Sequence, residues 1–590
     1  MSIIQNKTIF KKEKEAAHFP LQRPEGISVS GSDALILSLL EEGVETIFGY
    51  PGGAIMPIYD ALFNYADQIK HILVRHEQGA IHAAQGFARV TGKPGIVFAT
   101  SGPGATNLVT GLADAMIDST PLVCITGQVA SHLLGTDAFQ EIDVMNITVP
   151  VTKWNIQVTK AEDMASAVAK AFYIATSGRP GPVLIDVTKD AQFAKTKFSY
   201  KHCESIKTYH PKPKIDVTKI EDAALLINAA KKPYILAGQG VILADATNEL
   251  IALAEKGNIP VASTLLGLSG FPHNHPLYVG YLGMHGNYGP NKNTNECDLL
   301  IAVGMRFDDR VTGDVTKYAK QAKVIHIEID KAEINKIIKA DVGIHANAKE
   351  ALPLLTEKIQ TATHEAWLKT FKNYMDDEYE KIISKNCLNT TNEIKMAEVI
   401  FLLDEITKGN AIIITDVGQH QMVTARYFHY KNPRTNITSG GLGTMGFALP
   451  ASMGAKLGAP HQQVIAIIGD GGFQMTLQEL GTIAQYKIPV KIVVLNNEFL
   501  GMVRQWQQMF FEGRYSFTEM NNPDFIKLNE AFGIKARKVT DRDELPGALN
   551  EMLLYDGPYF LEVKVEKEEN VFPMIPTGAA VCDMVLEVKK

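Results

Sequence analysis

Asp470 and Asn497 are the residues whose setting says most about chemistry. Asp470 stands in Gly469-Asp470-Gly471-Gly472 behind the apolar run 464–468, and Asn497 follows Asn496 behind a second run, 491–495. Both runs read as strands buried on two faces, and 473–486 between them fits one amphipathic helix. The glycines make a tight turn that lets backbone approach a ligand closely. A right-handed crossover would make the two strands parallel. Asp470 and Asn497 then sit at the carboxyl ends of strands, where open α/β sheets bind ligands. One carboxylate and one amide oxygen beside glycine backbone suit a hard cation holding a diphosphate.

The nearest rival is Gly441-Leu442-Gly443-Thr444-Met445-Gly446, a formal dinucleotide fingerprint with Asp470 as its downstream acid. A ribose-binding acid needs neither glycines on both sides nor an Asn-Asn after the next strand. Glu77, in Arg75-His76-Glu77-Gln78-Gly79-Ala80, is a second candidate for proton chemistry, just after a buried strand at 71–75. Taken alone it is an acid opening a helix, where the dipole favours it. A zinc reading of His76-Glu77 fails because the next histidine is His82, off the same helical face. Residues 86–93 are not a phosphate-binding loop, since Pro94 stands where a hydroxyl residue is required.

The elements that must position these residues alternate along the chain. In the first unit strands are expected at 46–48, 71–75, 95–100, 122–126 and 183–187, with helices at 32–42, 78–91 and 105–117. The second has strands at 234–237, 261–264, 299–303 and 324–329, and a charged helical connector spans roughly 349–385. Thr100-Ser101-Gly102-Pro103-Gly104 echoes Thr438-Ser439-Gly440-Gly441, and Gly181-Pro182-Val183 echoes Gly557-Pro558-Tyr559, which suggests duplicated first and third units. The expected fold is α/β, three doubly wound parallel-sheet domains. The boundaries are a flexible arm at 1–25, a first domain at 26–190, a linker at 191–214 and a central domain at 215–350. A connector at 351–391, a third domain at 392–570 and a tail at 571–590 follow.

At 590 residues, 46% hydrophobic and 21% charged, the chain is an ordinary globular protein too long for one core. A net charge of −7 without a long basic run gives no footprint for nucleic acid. Five scattered cysteines without paired spacing favour a reducing compartment. No apolar stretch reaches the length of a membrane span, so a cytoplasmic protein is expected.

Gly-Asp-Gly, two dozen residues (472–495), then Asn-Asn resembles the signature of thiamine diphosphate enzymes. The motifs YPGGA, HEQGA, TSGPGATN, GTDAFQE, SGRPGPV, RFDDRVTG, SGGLGTMG and GMVRQW follow in that order. Together they resemble the catalytic subunits of the acetohydroxyacid synthase (acetolactate synthase) family from about Gly26 onward. The resemblance implies a pyrimidine-binding first domain, a central FAD-binding domain and a diphosphate-binding third domain. It implies magnesium on Asp470, Asn497 and the Phe499 carbonyl, with Val417, Gly418, Gln419, His420, Gly471 and Gly472 gripping the diphosphate. Glu77 becomes the proton relay, Met445 the wedge that bends the cofactor, and Gly443 an acceptor for its aminopyrimidine. Gly53, Gln140 and Lys189 join Glu77 in the catalytic set.

The flavin is implied at Thr264, Leu265, Met284, His285, Gly304, Arg306, Asp308, Arg310, Val311, Glu328, Ile329 and Asn347, the last standing where an aspartate is expected. Phe139, Arg306, Asp309, Met502, Val503 and Trp506 would line the substrate pocket. The implied reaction decarboxylates pyruvate and passes a hydroxyethyl carbanion to pyruvate or 2-ketobutyrate, giving 2-acetolactate or 2-aceto-2-hydroxybutyrate for branched-chain amino acids. A homodimer or homotetramer with a small regulatory subunit is implied, without nucleic acid or membrane partners. A flavin-dependent pyruvate oxidase and a catalytically inactive regulatory paralogue are the alternatives.

Overall fold

The computed structural model describes residues 26–387 and 393–587. The arm at 1–25, the boundary near Asn392 and residues 588–590 lie outside the described residues. Three six-stranded sheets form the frame, and every neighbouring pair within them is parallel. Their central strands are buried on both faces, whereas edge strands such as Trp154–Val158 and Lys535–Val539 are mostly half-buried or exposed. Along Gly95–Ala99, Ile96 and Phe98 enter one hydrophobic cluster while Val97 and Ala99 enter another. This is why the central strands read as unbroken apolar runs.

Across its width the first sheet runs Lys70–Leu73, Thr46–Gly49, Gly95–Ala99, Leu122–Gln128, Pro182–Thr188, Trp154–Val158. The third runs Asn436–Thr438, Ile412–Thr415, Val464–Gly469, Lys491–Asn496, Tyr559–Lys564, Lys535–Val539. Ranked by position in the chain, both sheets have the strand order 2-1-3-4-6-5. Of the two sequence echoes, Gly181-Pro182 and Gly557-Pro558 both lead into the sixth strand of their sheets. The other pair is not equivalent: Thr100 follows a third strand, whereas Thr438 ends a second. Short glycine-serine turns recur at strand ends because the turn demands them, whatever the strand.

The central sheet runs Tyr278–Tyr281, Val261–Ser263, Pro233–Ala237, Leu299–Val303, Lys323–Glu328, Val342–His345, which is the order 3-2-1-4-5-6. That order places a ligand-binding crevice where it reverses, between Pro233–Ala237 and Leu299–Val303. The charged stretch after Lys349 packs on this sheet: Ala351, Leu352 and Leu355 join one face's core, Trp367 and Phe371 the other's. The tail is tied down as well, with Ile575 N–H donating to Met284 O at 2.8 Å and Asp314 N–H to Ala579 O at 2.9 Å.

Two helices expected to be continuous are broken. The segment after Val464–Gly469 turns helical at once at Asp470, so the glycines form the first helical turn rather than a loop. At Thr476 the backbone leaves helical angles (φ −135°), and a short 3₁₀ turn, Leu477–Glu479, separates it from Leu480–Tyr486. The Thr476 hydroxyl donates instead to Gly446 O at 2.9 Å. The other break, at Asn107, divides Pro103–Thr106 from Val109–Ile117 and turns the asparagine side chain to Glu77.

The first and third units share one hydrophobic core. Its centre is the contact of the helices Glu77–Thr91 and Ala448–Gly458, where a Cβ on Gly86 would strike Ala451 O and one on Gly454 would strike Ala83 O. Glycine there lets the two backbones touch.

Candidate active site

Asp470 and Asn497 lie where the sequence put them, at the ends of adjacent parallel strands of the third sheet, 1% and 2% exposed. Asn522 Nδ2 donates to Asp470 Oδ2 at 2.7 Å and bridges to Asn496 Oδ1 at 3.0 Å. Burial pushes the Asp470 carboxyl up to about 6. Phe499 N–H donates to Asn497 Oδ1 at 3.3 Å across a turn in which Glu498 takes a left-handed conformation (φ 58°). Asp470, Asn497 and the Phe499 carbonyl offer a single carboxylate, and among the described residues no cluster of three or more His, Cys, Asp or Glu could hold a metal alone. A cation here would need anionic oxygens from its ligand.

Of the neighbouring side chains, His420 and Asn497 have free nitrogens that could donate to such a ligand, whereas the free atom of Gln419 is its acceptor oxygen. Gln419 Oε1, His420 Nε2 and Asn497 Nδ2 are buried without a hydrogen-bond partner. Each such orphan costs about 1–3 kcal/mol. They sit in a cradle of glycines: a Cβ on Gly501 would strike Gln419 Oε1, and a Cβ on Gly418 or Gly469 would come within 2.9 Å of the His420 ring. Burial lowers His420 to about 4, so its imidazole is neutral at pH 7. Gly471 and Gly472 are equally confined, against Leu500 (2.7 Å) and Asp416 Oδ1.

Met445 is held by residues that sequence reasoning missed. Asp416, at the end of Ile412–Thr415 and fully buried, accepts from Val417 N (2.9 Å), Gly446 N (3.0 Å) and Ala448 N (3.0 Å). From the first unit, Asp118 accepts from Gly440 N (2.9 Å) and Gly441 N (2.8 Å), while Asp114 accepts from the Thr444 hydroxyl (3.0 Å) and from Ser439. Lone aspartates at a strand end or in a helix carry no signal of such a partner.

A cavity of about 1440 Å³ opens beside this loop. A single small-molecule site typically occupies ~300–1,000 Å³, so this one has room for more than one ligand. All twelve residues assigned to the flavin line it, as do Val417, Gly418, Gly443, Met445, Asp309, Met502, Val503 and Trp506. Gly238 and Gly304 meet at the central switch point, where a Cβ on Gly238 would strike Gly304 O. His285 Nδ1 is buried and unpartnered there. Burial raises Asp308 and pushes Glu328 up to about 7. Asp308 receives Arg310 N (2.9 Å) and Val311 N (3.1 Å), and Asn347 caps the next helix by accepting Lys349 N at 2.8 Å. Asparagine performs that capping as well as aspartate would. Arg179, which ion-pairs with Asp330 and Glu333 at 3.2 Å, also lines the cavity and was missed.

The helix Gly501–Phe510 explains why Met502, Val503 and Trp506 share one side. Its opposite side is fixed by Arg504, fully buried, donating to Glu569 O (2.8 Å) and Asn570 Oδ1 (2.6 Å).

Glu77, Gly53, Phe139, Gln140 and Lys189 do not line this cavity. They gather in the first unit at the carboxyl ends of its strands. Glu77 is 8% exposed, opens its helix, and accepts from Asn107 Nδ2 at 2.9 Å. Gly104 lies against its Oε1, with 3.2 Å to an added Cβ, and Gly102 (φ 58°) has Gln140 O at 2.9 Å from its own. Phe139 projects 88% exposed from the loop beside Gln140. Lys189 opens a short helix behind Pro182–Thr188, and Gly53 lies open after Thr46–Gly49.

Three family models match: the thiamine pyrophosphate enzyme N-terminal TPP binding domain over 29–147, its central domain over 220–355, and its C-terminal TPP binding domain over 416–563. The chain is 45% identical to the acetolactate synthase large subunit of Lactococcus lactis, over 94% of this chain and 96% of that protein. It is 46% identical to that of Corynebacterium glutamicum, over 94% and 90%, and 45% identical to a probable one of Methanocaldococcus jannaschii, over 95% and 96%. Its three parallel sheets, its glycine-cradled Asp470 and Asn497 and this full-length similarity agree: the chain belongs to the acetolactate synthase large-subunit family of thiamine pyrophosphate enzymes.

Proposed function

We propose that this protein is an acetolactate synthase, condensing pyruvate with a second pyruvate or with 2-ketobutyrate. The observation that carries the reading is one cavity shared by the flavin-site residues, Met445 and Trp506. When bound, thiamine diphosphate supplies stabilisation of the negative charge left on carbon by decarboxylation. Asp470, Asn497 and the Phe499 carbonyl would hold Mg²⁺, and Gln419 and His420 would grip the diphosphate. Glu77 holds and moves a proton at its carboxyl, fixed by Asn107. Met445, on a loop strapped by Asp416 and Asp118, shapes the pocket floor. Arg306, Asp309, Gln140 and Lys189 orient the 2-keto acid carboxylate, and Phe139 with Trp506 excludes water around the acceptor.

FAD is read onto the central switch point between Gly238 and Gly304, with Arg306, Asp308, Glu328 and Asn347 among its contacts. Each complete site takes its Glu77 half from a second copy. The reading is supported by the absence of Glu77, Gly53, Phe139, Gln140 and Lys189 from the cavity lining. Exposed apolar side chains beside that half, Met56 and Phe139, also support it. A homodimer is therefore the smallest active form, and a separate small regulatory subunit is proposed because the relatives are named large subunits.

Product analysis tests the function. With thiamine diphosphate, Mg²⁺ and FAD, pyruvate alone gives 2-acetolactate, and added 2-ketobutyrate diverts product to 2-aceto-2-hydroxybutyrate. Oxygen uptake or quinone reduction driven by pyruvate, with neither product formed, overturns the reading in favour of an oxidase. Trp506 is half-buried beside Phe510, ring centroids 5.4 Å apart, on the cavity side of its helix. Trp506→Leu retains 2-acetolactate formation but lowers the preference for 2-ketobutyrate by about 10-fold, the worth of about one methylene contact in an apolar pocket. Mixed-substrate product ratios matching the parent remove Trp506 from the acceptor pocket.

A further inference from the structure

Glu479 belongs to the third unit, yet its carboxylate serves the first. Arg75 N–H donates to both of its oxygens, at 3.0 and 3.2 Å, and the Thr482 hydroxyl donates to Oε2 at 2.7 Å. The Arg75 side chain in turn donates to Gly481 O (3.2 Å) and Gln485 Oε1 (2.7 Å). A Cβ on Gly79 would strike Glu479 Oε1, so the carboxylate lies against the first turn of the Glu77–Thr91 helix. Glu479 is fully buried. A carboxylate in that position must satisfy its lone pairs locally, and apart from Thr482 its donors belong to the turn that carries Glu77.

We propose that Glu479 is a positioning residue for Glu77, fixing from the third unit the backbone of the turn that aims the Glu77 carboxyl. The stretch 470–479 begins at Asp470 and is tied at Thr476 to Gly446 O, beside Met445. One short stretch thus links Asp470 of one site to the turn carrying Glu77, which this chain lends to the other site of the dimer. Its effect on turnover rests on the proton-relay reading of Glu77.

The test compares Glu479→Ala and Glu479→Gln in the full-length protein with thiamine diphosphate, Mg²⁺ and FAD. Glu479→Ala lowers kcat by about 10- to 100-fold, the cost of a misplaced reacting group. KM for pyruvate stays within about twofold, because binding contacts are untouched. In the same variant the Arg75 amide exchanges hydrogen at least about tenfold faster. Glu479→Gln keeps an oxygen for Arg75 N–H and recovers most of both losses. Unchanged Arg75 exchange overturns the proposal. So does faster exchange along the whole Glu77–Thr91 helix with a lower thermal midpoint and no recovery in Glu479→Gln, the mark of a purely structural role. If Glu479→Ala does not fold, Thr482→Val is read instead: faster Arg75 exchange and a lower kcat support the proposal, and parental values of both overturn it. Failure of the relay reading looks different, since Glu77→Gln would stay active while Arg75 exchange still responded to Glu479→Ala.

Discussion

Replacing Glu77 by glutamine is expected to lower turnover by about 10²- to 10⁴-fold, the usual worth of a positioned acid–base group, with little change in stability. Glutamine has the same shape and can still accept from Asn107 Nδ2, which donates to Glu77 at 2.9 Å. It cannot release and regain a proton. The loss therefore reports proton chemistry rather than packing, and near-normal turnover with thiamine diphosphate bound would remove Glu77 from the relay. The same variant tests the shared site. In random dimers, mixing Glu77→Gln with an inactive Asp470→Ala chain leaves one intact site in each hybrid, restoring about a quarter of parental activity by two-fold symmetry. No recovery on mixing would mean that each chain completes its own site.

The largest stability effect is expected at Glu378, the last residue of the helix Glu365–Glu378. Its carboxylate pairs with Arg426, each side chain 1% exposed, and also accepts from Tyr288 N (2.7 Å) and Asn287 Nδ2 (3.1 Å). Arg426 donates onward to His285 O (2.6 Å) and Gly286 O (3.1 Å). The pair thus ties the charged helix, the cavity loop around His285 and the helix Gln419–Tyr427 of the third unit. Glu378→Ala leaves the Arg426 guanidinium buried and unpaired, at a cost of about 3–5 kcal/mol. A denaturation midpoint shifts accordingly, whereas exposed Glu380→Ala stays within about 0.5 kcal/mol of the parent. The double variant Glu378→Met/Arg426→Met removes both charges and recovers much of the loss. An unchanged midpoint in Glu378→Ala would show that water reaches Arg426.

The site was legible in the sequence where its chemistry is local. Asp470 between glycines and Asn497 after a buried run announce strand ends by themselves, because glycine confinement and apolar continuity are properties of neighbouring residues. The residues that the resemblance assigns to a flavin came from motifs, and all of them line one cavity. Asp416, Asp118, Asn107 and Glu479 were not legible. Each acts on backbone or a side chain brought near by folding, from Asn107 to Glu77 at 30 residues' separation to Glu479 and Arg75 at 404. Hydrogen bonds to backbone leave no compositional trace in the partner segment.

By itself the sequence determined the central buried strands, the parallel sheets and the positions of the metal and diphosphate candidates, since buried strands and tight turns are encoded by adjacent residues. It missed the less apolar edge strands Trp154–Val158, Tyr278–Tyr281 and Val342–His345. Only the tertiary structure decided that the first and third sheets share one strand order and one core, and that the central sheet has another. It alone decided that Glu77 stands apart from the cavity holding Met445 and Trp506. Those are questions of how units pack, and packing depends on complementary surfaces hundreds of residues apart.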